Sequence, residues 1–223
     1  MPRPRTHDLD DLLDVAEQVA TAAGPAGLTL RGLAAAAGVS TGSIYHAFSS
    51  KDELLARVWL RVARRFLRMQ SEEVEAALAG APGSAPAVEA VARAALTPVD
   101  FALRHPASAR LFFMQRRDQL FTPDLPDSVA AELESVQTEF TAVLVRLADA
   151  MWQRRDRAAV DTIASCVVDL PGGLMQRQLE SAHRLDDQTG RRIDAAARAI
   201  LALPLPPPSR ARTARATRKE PRP

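Results

Sequence analysis

The chain has 223 residues, of which 47% are hydrophobic, 25% charged and only 4% aromatic. That length suits one large domain or two small ones, with a core built mainly from Ala, Leu and Val. No apolar run approaches the roughly 20 residues that a membrane-spanning helix needs, and the N-terminus lacks the apolar core of a secretory signal. The single cysteine, Cys166, excludes an internal disulfide framework, and its apolar neighbours predict a buried side chain. We therefore expect a cytoplasmic protein without membrane association.

The formal net charge of +2 is unevenly distributed along the chain. Residues 1–55 carry four basic and seven acidic residues, whereas residues 204–223 carry six basic and one acidic residue. Global charge is therefore poor evidence for nucleic-acid binding. Any such function has to be argued from local geometry.

The N-terminal region predicts several helices in quick succession. Apolar residues recur at three- and four-residue steps from Leu9 to Ala23, which predicts an amphipathic first helix that ends at Gly24. A second helix, LRGLAAAA, is expected between a cap at Thr29 and a stop at Gly38.

A third helix, TGSIYHAF, follows a cap at Ser40. Ser50 and Glu53 then have the spacing of a capping box. They precede a long fourth helix that can continue through residue 79 without a breaker.

The rest of the chain predicts further helices and no strand, so we expect an all-α fold. Helices are predicted over residues 87–104 with a kink at Pro98, after a boundary at Pro106 through residue 117, along the apolar stripe of residues 129–151, from residue 160 with a bend at Pro171, and over 193–201. Loops are predicted at residues 81–86 and 121–128. Residues 206–223 are rich in Pro and Arg and are predicted to be disordered.

Two short helices joined by a Gly-Val-Ser turn predict a helix-turn-helix. Leu33, Val39 and Ile44 are expected to form its core together with the first helix. The opposite face of the third helix carries small or hydrogen-bonding residues. They are Thr41, Gly42, Ser43, Tyr45 and His46. Such residues at the start of a recognition helix suit contacts with base edges and phosphates.

The segment LTLRGLAAAAGVSTGSIYHAFSSKDELL, residues 28–55, resembles the tetracycline-repressor (TetR) family of bacterial transcriptional regulators, and the spacing of Tyr45, Phe48, Lys51 and Leu54 is its most specific part. The resemblance implies a three-helix DNA-binding head at residues 1–55, joined by the long fourth helix to a helical ligand-binding and dimerisation domain at residues 56–205. The function it implies is a homodimeric repressor that a small-molecule ligand releases from a palindromic operator in double-stranded DNA.

By position, the resemblance also implies which side chains contact DNA. They are Thr29, Arg31, Thr41, Gly42, Ser43, Tyr45, His46 and Lys51. Tyr45 and Lys51 would bind phosphates, the latter beside the free N–H groups of the fourth helix. Arg3 and Arg5 could form a flexible arm toward the minor groove.

The second domain offers candidates for an interface and a ligand site. Residues 157–180 and 187–203 are the candidate dimer interface, where Gly172 and Gly173 either permit a close helix crossing or relieve a bend. Five aromatic residues are candidates for lining a cavity for an apolar or amphipathic molecule, although residues at this spacing also form ordinary cores. They are Phe101, Phe112, Phe113, Phe140 and Trp152. Candidate polar anchors are His105, Arg110 and Gln115.

Three alternatives stand beside the ligand-responsive repressor. The first is an activator, or a regulator without a ligand. The second is a helical small-molecule-binding protein that has lost DNA binding, which the acidic first helix favours. The third is an enzyme that uses the helix-turn-helix only to locate DNA. Because the four histidines show no metal-ligand spacing and Cys166 has no evident catalytic partner, we expect no enzyme, metal or cofactor.

Overall fold

A computed structural model describes residues 9–80, 83–114, 120–122, 124–180, 186–205 and 207. Over these residues the chain is helical and contains no strand, which confirms the predicted all-α fold. The helices are α1 (Leu9–Gly27), α2 (Leu30–Ala37), α3 (Thr41–Ala47), α4 (Lys51–Leu78), α5 (Ser84–Arg104), α6 (Pro106–Met114), α7 (Asp127–Trp152), α8 (Arg157–Ala164, Ser165–Asp169 and Leu170–Glu180, without a break) and α9 (Asp187–Leu201).

Helices α1, α2 and α3 pack around a small core at the N-terminus. Leu33, Ile44 and Phe48 are fully buried there, and Val39 is half-buried against them. The predicted helix-turn-helix core is therefore present. At the other end of α1, Gly24 has a non-helical φ of 73°, so it interrupts the helix and a final turn through Pro25 follows.

The long helix α4 connects this head to the remaining helices. It contacts α1 at its first half and packs along α5 and α7 further on. Helix α5 lies at the centre of the C-terminal helices, where it also meets α6, α8 and α9. Its buried side is mostly alanine, including Ala90, Ala94 and Ala95, and small side chains allow the surrounding helices to approach closely.

Helix α5 continues through Pro98 as one helix. Because proline has no N–H, the carbonyl of Ala94 loses its helical partner. The fully buried side chain of Gln70 on α4 donates to that carbonyl with an N···O distance of 3.2 Å. The amide oxygen of Gln70 has no hydrogen-bond partner among the described residues. Gln70 therefore supplies the hydrogen bond that Pro98 cannot, and the two residues act together in the α4–α5 contact.

The predicted bend near Pro171 takes the form of a π-helical turn at Ser165–Asp169. The N–H of Leu170 donates to the carbonyl of Ser165, five residues back. A proline cannot continue the α-helical ladder, and a π turn just before it accommodates the missing donor. The wider turn lies before Pro171 rather than at Gly172 and Gly173, which are helical.

Some predicted boundaries are wrong. Helix α5 begins at Ser84, inside the predicted loop at residues 81–86. Helix α6, by contrast, begins at Pro106, at the boundary predicted there, because proline is well suited to the first turn of a helix. Residues 115–117 of that predicted helix, and all of the predicted tail at 206–223 except Pro207, lie outside the described residues.

One described helical segment, Arg157–Gln176 in α8, is long and apolar enough to cross a membrane by those two criteria alone. The core helix of a soluble protein passes the same test, so this is weak evidence. Helix α8 packs against α5, α6, α7 and α9. Only 33% of the segment is buried within the chain.

Candidate nucleic-acid interface and ligand cavity

Hydrogen bonds fix both ends of α2 and the turn that leads to α3. Thr29 Oγ1 accepts from the Gly32 N–H at 2.9 Å and caps α2. Gly38 ends the helix with φ 67° and ψ 29°, a left-handed conformation that glycine adopts at little cost. The N–H of Val39 donates back to the Ala34 carbonyl at 3.0 Å. The sequence thus sets the angle at which α3 leaves α2.

Helix α3 divides its residues between the core and solvent. Ser40 Oγ accepts from the Ser43 N–H at 3.0 Å and caps the helix. Ile44 faces the core, whereas its neighbour Tyr45 is 54% exposed. The other exposed residues of this face are Thr41, Gly42, Ser43 and His46. This outward face of α3, called the recognition face below, is small and polar with two ring side chains.

The start of α4 differs from the predicted capping box. Ser50 Oγ does accept from the Glu53 N–H at 3.0 Å. Glu53, however, accepts from the N–H and hydroxyl of Ser49, at 2.8 and 2.6 Å, rather than from Ser50. Burial raises the pKa of Glu53, but hydrogen bonds from Ser49 and Arg57 outweigh it, and the pKa lies below its usual range. This carboxylate fixes the turn between α3 and α4.

The other predicted DNA-binding residues lie at the edges of the recognition face. Thr29 and Arg31 are exposed at the start of α2. The ammonium of Lys51 donates to the carbonyl of Ala26 at 3.1 Å and so ties the end of α1 to the start of α4. Arg3 and Arg5 lie outside the described residues.

The acidic residues of α1 face arginines of α4. Arg61 contacts the carboxylates of Asp10 and Asp14, and Arg65 forms a pair with Glu17 at 2.8 Å. The negative charge of the first helix is therefore largely balanced inside the chain. It does not argue against DNA binding by α3.

Glu17 joins three helices. It is 8% exposed and accepts from both Arg65 on α4 and the hydroxyl of Ser108 on α6, the latter at 2.6 Å. Burial raises its pKa, but the hydrogen bonds from Arg65 and Ser108 outweigh that effect and lower it. We call Glu17, Arg65 and Ser108 the Glu17 cluster.

A second contact joins the start of α4 to the loop that follows α6. Asp52 accepts from the N–H and the hydroxyl of Thr122, at 3.0 and 2.6 Å. These hydrogen bonds from Thr122 hold the pKa of Asp52 below its usual range. The head is thus attached to the C-terminal helices at two separate points.

Helices α4 to α8 enclose a cavity of about 450 Å³. Its lining is apolar apart from two glutamine amides, and none of the described lining residues is charged. It consists of Trp59, Ala63, Phe66, Leu67, Pro98, Phe112, Phe113, Met114, Val136, Gln137, Phe140, Val167, Val168, Pro171, Gly172, Met175, Gln176 and Leu179. The ring of Phe66 meets those of Phe112 and Phe113 at centroid distances of 5.3 and 5.5 Å. Most of the aromatic lining therefore comes from α4 and α6.

The predicted ligand-binding residues are divided between the lining and its surroundings. Phe112, Phe113 and Phe140 line the cavity. Phe101 is fully buried behind it, with its ring 5.6 Å from that of Phe66. Trp152 is half-buried at the end of α7 and is not part of the lining.

Sequence reasoning missed the contribution of α4. Trp59 and Phe66 stand seven residues apart and so share one helix face. That spacing was a usable signal, but it is also the ordinary spacing of core residues. Five residues of α8 between Val168 and Gln176 also line the cavity. The sequence did not indicate this, because Gly and Pro in this segment predict a bend and not a cavity lining.

The predicted polar anchors are not in the lining. Arg110 is exposed, and Gln115 lies outside the described residues. His105 stacks on Phe101 with a centroid distance of 5.2 Å. Burial and the positive charge of Arg65 lower the pKa of His105, so the ring is neutral at physiological pH.

No group of three or more potential metal ligands occurs among the described residues. Cys166 is fully buried, and burial raises its pKa to about 11, so its reactive thiolate is absent at neutral pH. A capped helix-turn-helix with an exposed, polar recognition helix defines the chain as a DNA-binding protein of the helix-turn-helix class.

Comparison with known proteins makes the class more specific. Residues 12–58 match the model of the tetR family of bacterial regulatory proteins. This match covers the helix-turn-helix head, so the head is of the tetR-family DNA-binding type. A search of curated proteins gave no match.

Solved structures with the same fold cover most of the chain. A bacterial regulatory protein of the tetR family from Rhodococcus RHA1 is 18% identical with a TM-score of 0.62, over 86% of this chain and 96% of that one. The regulator FadR from Bacillus subtilis, in complex with stearoyl-CoA, is 14% identical with a TM-score of 0.62, over 87% and 96%. The multidrug-binding protein EbrR, complexed with imidazole, is 20% identical with a TM-score of 0.56, over 93% and 98%. At these identities the likeness concerns the fold.

Proposed function

We propose that this DNA-binding regulator is a cytoplasmic, non-enzymatic homodimeric repressor that leaves a palindromic operator when an apolar small molecule occupies its cavity. The observation that carries the DNA-binding part is the recognition face. Ile44 and Phe48 are buried and anchor α3 in the core of the head. The opposite side of the helix is exposed to solvent and carries Thr41, Ser43, Tyr45 and His46. A helix held in this way can enter the major groove without rearranging the head.

The geometry supports a distinct role for each of the predicted contacts. The Tyr45 hydroxyl binds a phosphate while its ring packs on the sugar, and His46 faces a base or the backbone. Gly42 permits close approach, and Thr41 and Ser43 contact phosphates or base edges. Thr29 and Arg31 flank the groove from α2. Lys51 stands beside the N-terminus of α4, where a phosphate would also meet free N–H groups.

A single recognition helix contacts only one half-site, so the regulator acts as a pair across a palindrome. Helices α8 and α9 are the proposed dimer surface. Their outward sides carry exposed small or apolar residues, including Val168, Leu174 and Ala195. The two recognition faces of the dimer then lie about 34 Å apart, one helical turn of DNA.

The ligand is expected to be apolar and uncharged over the part that enters the cavity. A volume of about 450 Å³ lies within the range of roughly 300–1,000 Å³ typical of small-molecule sites. Stearoyl-CoA in FadR and imidazole in EbrR show that proteins of this fold hold chemically different ligands. The identity of the ligand here therefore has to come from its own lining.

The Glu17 cluster provides a route from the cavity to the head. Helices α4 and α6 both line the cavity, through Phe66 and Phe112 among others. Both are also hydrogen-bonded to Glu17 on α1. A ligand that favours one arrangement of α4 and α6 would therefore shift α1 and change the distance between the two heads.

The test is to select bound fragments from genomic DNA, beginning with the DNA that flanks the protein's own gene, and to footprint the best fragment. The proposal predicts a saturable palindromic site with two protected half-sites about one helical turn apart. Protection of a single site without symmetry, or binding that does not depend on sequence, would contradict it. Transcription from the same fragment, with and without the protein, separates repression from activation.

A further inference from the structure

The hydrogen-bonding side chains of the cavity are concentrated at its mouth. Apart from the indole N–H of Trp59, the only described lining residues with a polar side chain are Gln137 on α7 and Gln176 on α8. Both are exposed to solvent, as are Val168 and Gly172 on α8, whereas the other described lining residues are buried or half-buried. The mouth therefore lies between α7 and α8, with one amide on each helix.

The inner wall of the cavity is aromatic. The chain contains only seven Phe, two Trp and one Tyr, and half of these residues line the cavity. Elsewhere the core is built mainly from Ala, Leu and Val, so this concentration of rings is a property of the cavity. Four of the rings come from α4 and α6 and pack against one another, and we call them the aromatic wall. They are Trp59, Phe66, Phe112 and Phe113.

The rings of the aromatic wall meet at angles rather than in parallel. Phe112 is tilted by 43° against both Trp59 and Phe66, with centroid distances of 5.4 and 5.3 Å. Phe113 meets Phe112 at 62° and 5.0 Å. Aromatic pairs prefer such tilted arrangements, and they stabilise by more than the burial of their area alone. A flat aromatic ligand placed against this wall extends the same pattern, whereas a saturated molecule gains only the burial of area.

The lining disfavours a charged ligand. None of the described lining residues is charged, and burial of an ionised group without a partner is costly. At the rim, the residue next to Val168 is the exposed Asp169, which repels an anion. The two glutamine amides, by contrast, donate and accept hydrogen bonds without a charge. Their position suits a neutral polar group at the end of the ligand that lies nearest to solvent.

We infer that the ligand is an uncharged aromatic molecule with one hydrogen-bonding group. Its ring system lies against the aromatic wall, and its hydroxyl, carbonyl or amide group lies at the mouth, where Gln137 and Gln176 bind it. This inference rests on the proposed ligand site, to which it adds the chemical class and the orientation of the ligand. Saturated and ionised molecules of the same size are bound more weakly.

The test measures how well five small molecules of similar size displace Nile red, a neutral aromatic dye, from the wild-type protein at neutral pH. Four of them share the naphthalene ring system: naphthalene, β-naphthol, β-naphthoate and β-naphthylmethylammonium. The fifth, the decahydro derivative of β-naphthol, keeps the skeleton and the hydroxyl group but has no aromatic ring. Each comparison with β-naphthol therefore changes one property, which is the aromaticity, the hydroxyl group or the charge.

We expect β-naphthol to displace the dye best. Its affinity should exceed that of the decahydro derivative by about fivefold, because aromatic pairs add to the burial of area. It should exceed that of naphthalene by about fivefold as well, the effect of one net hydrogen bond. Both ions should bind about tenfold or more weakly than β-naphthol. Equal or tighter binding of the saturated alcohol, of naphthalene or of either ion would overturn the inference.

Variants with matched controls test the orientation of the ligand. Phe112→Leu should reduce the preference for β-naphthol over its decahydro derivative, whereas Phe121→Leu, which replaces a buried ring outside the lining, should not. Gln137→Leu and Gln176→Leu should each reduce the preference for β-naphthol over naphthalene, whereas Gln18→Leu, at an exposed position on α1, should not.

Each preference is a ratio of two affinities measured on one variant, so a loss of folded protein cancels, and circular dichroism checks the fold. A preference that is unchanged in Phe112→Leu, or in both of the mouth variants Gln137→Leu and Gln176→Leu, would overturn the inference.

The behaviour of the dye separates this inference from the proposed function. If Nile red does not bind saturably, the proposed ligand site is contradicted, and the inference fails with it. If the dye binds but β-naphthol is not preferred, the inference alone is overturned and the proposed ligand site remains. Footprinting of the operator tests the DNA-binding function independently of both.

Discussion

The recognition face and the cavity differ in how the chain builds them. The recognition face comes from one short segment, in which Ser40, Ile44 and Tyr45 have their roles set by neighbours within a few residues. The cavity draws residues from five helices that span positions 59 to 179. The first is a local feature supported by a small core, whereas the second exists only when distant helices pack correctly. The Glu17 cluster connects the two, and changes there test whether they respond together.

The largest effect is expected for Glu17→Gln. The change keeps the shape but removes the charge that Arg65 and Ser108 share, and hydrogen bonds to charged groups contribute roughly 1.5–3 kcal/mol. We expect the free energy of unfolding to fall by about 2 kcal/mol. Urea denaturation measures this, with Glu134→Gln on the exposed side of α7 as the control. Equal effects of the two variants would show that the Glu17 cluster does not stabilise the contact between α1, α4 and α6.

The same residue predicts the direction of a pH dependence. The folded-state pKa of Glu17 lies below its usual value of 4.5, so its contribution is complete at neutral pH and is lost as the pH falls through the folded-state pKa. The difference in stability between wild type and Glu17→Gln should therefore shrink on acidification below the usual value. A constant difference down to the acid transition would mean that folding does not lower the pKa of this carboxyl.

A smaller effect is expected where α4 meets α5. Gln70→Leu leaves the Ala94 carbonyl without a partner, because Pro98 cannot supply one, and a buried unpaired carbonyl costs about 1–3 kcal/mol. In a Pro98→Ala background the helix supplies the missing N–H. The loss from Gln70→Leu should then be at least halved. A double-mutant cycle measured by denaturation checks this, and additive effects would contradict the coupling.

The smallest effect is expected at the contact of Asp52 with Thr122, the second point at which the head is attached to the C-terminal helices. Asp52→Asn weakens the hydrogen bonds from Thr122, and since the site is largely exposed the cost should not exceed about 1 kcal/mol. Hydrogen exchange at residues 120–122 should increase nonetheless. Asp124→Asn, at an exposed position in the same loop, is the control and should leave that exchange unchanged.

The head was better predicted from the sequence than the C-terminal helices, because its signals are local. Caps at Thr29, Ser40 and Ser50 and the stop at Gly38 are local hydrogen-bonding signals, and all of them are present. The partner of Glu53 was missed by one residue, since Ser49 and Ser50 offer the same group. Among the C-terminal helices, the order of the helices could be predicted from apolar periodicity, but periodicity does not distinguish a core residue from a residue that lines a cavity. Trp59 therefore could not be distinguished from a core residue, Val168 carried no signal, and Trp152 could not be excluded.

The acidic first helix also shows that contacts between distant parts of the chain cannot be predicted from local sequence. Its charge argued against DNA binding when the sequence was considered alone. The pairing of Asp14 and Glu17 with arginines of α4 depends on contacts across more than forty positions of the chain. Only the folded arrangement shows that this charge is balanced internally.

The most direct test of the central claim uses Tyr45, which lies on the exposed side of α3 beside the buried Ile44. Fluorescence anisotropy with the selected operator, at fixed salt, should show Tyr45→Ala binding about tenfold or more weakly, a loss of roughly 1–3 kcal/mol, while its free energy of unfolding changes by less than about 0.5 kcal/mol. Tyr45→Phe, which keeps the ring and loses the hydroxyl, should fall between the two. If Tyr45→Ala binds the operator as tightly as the wild type, the recognition face is not the DNA-binding surface.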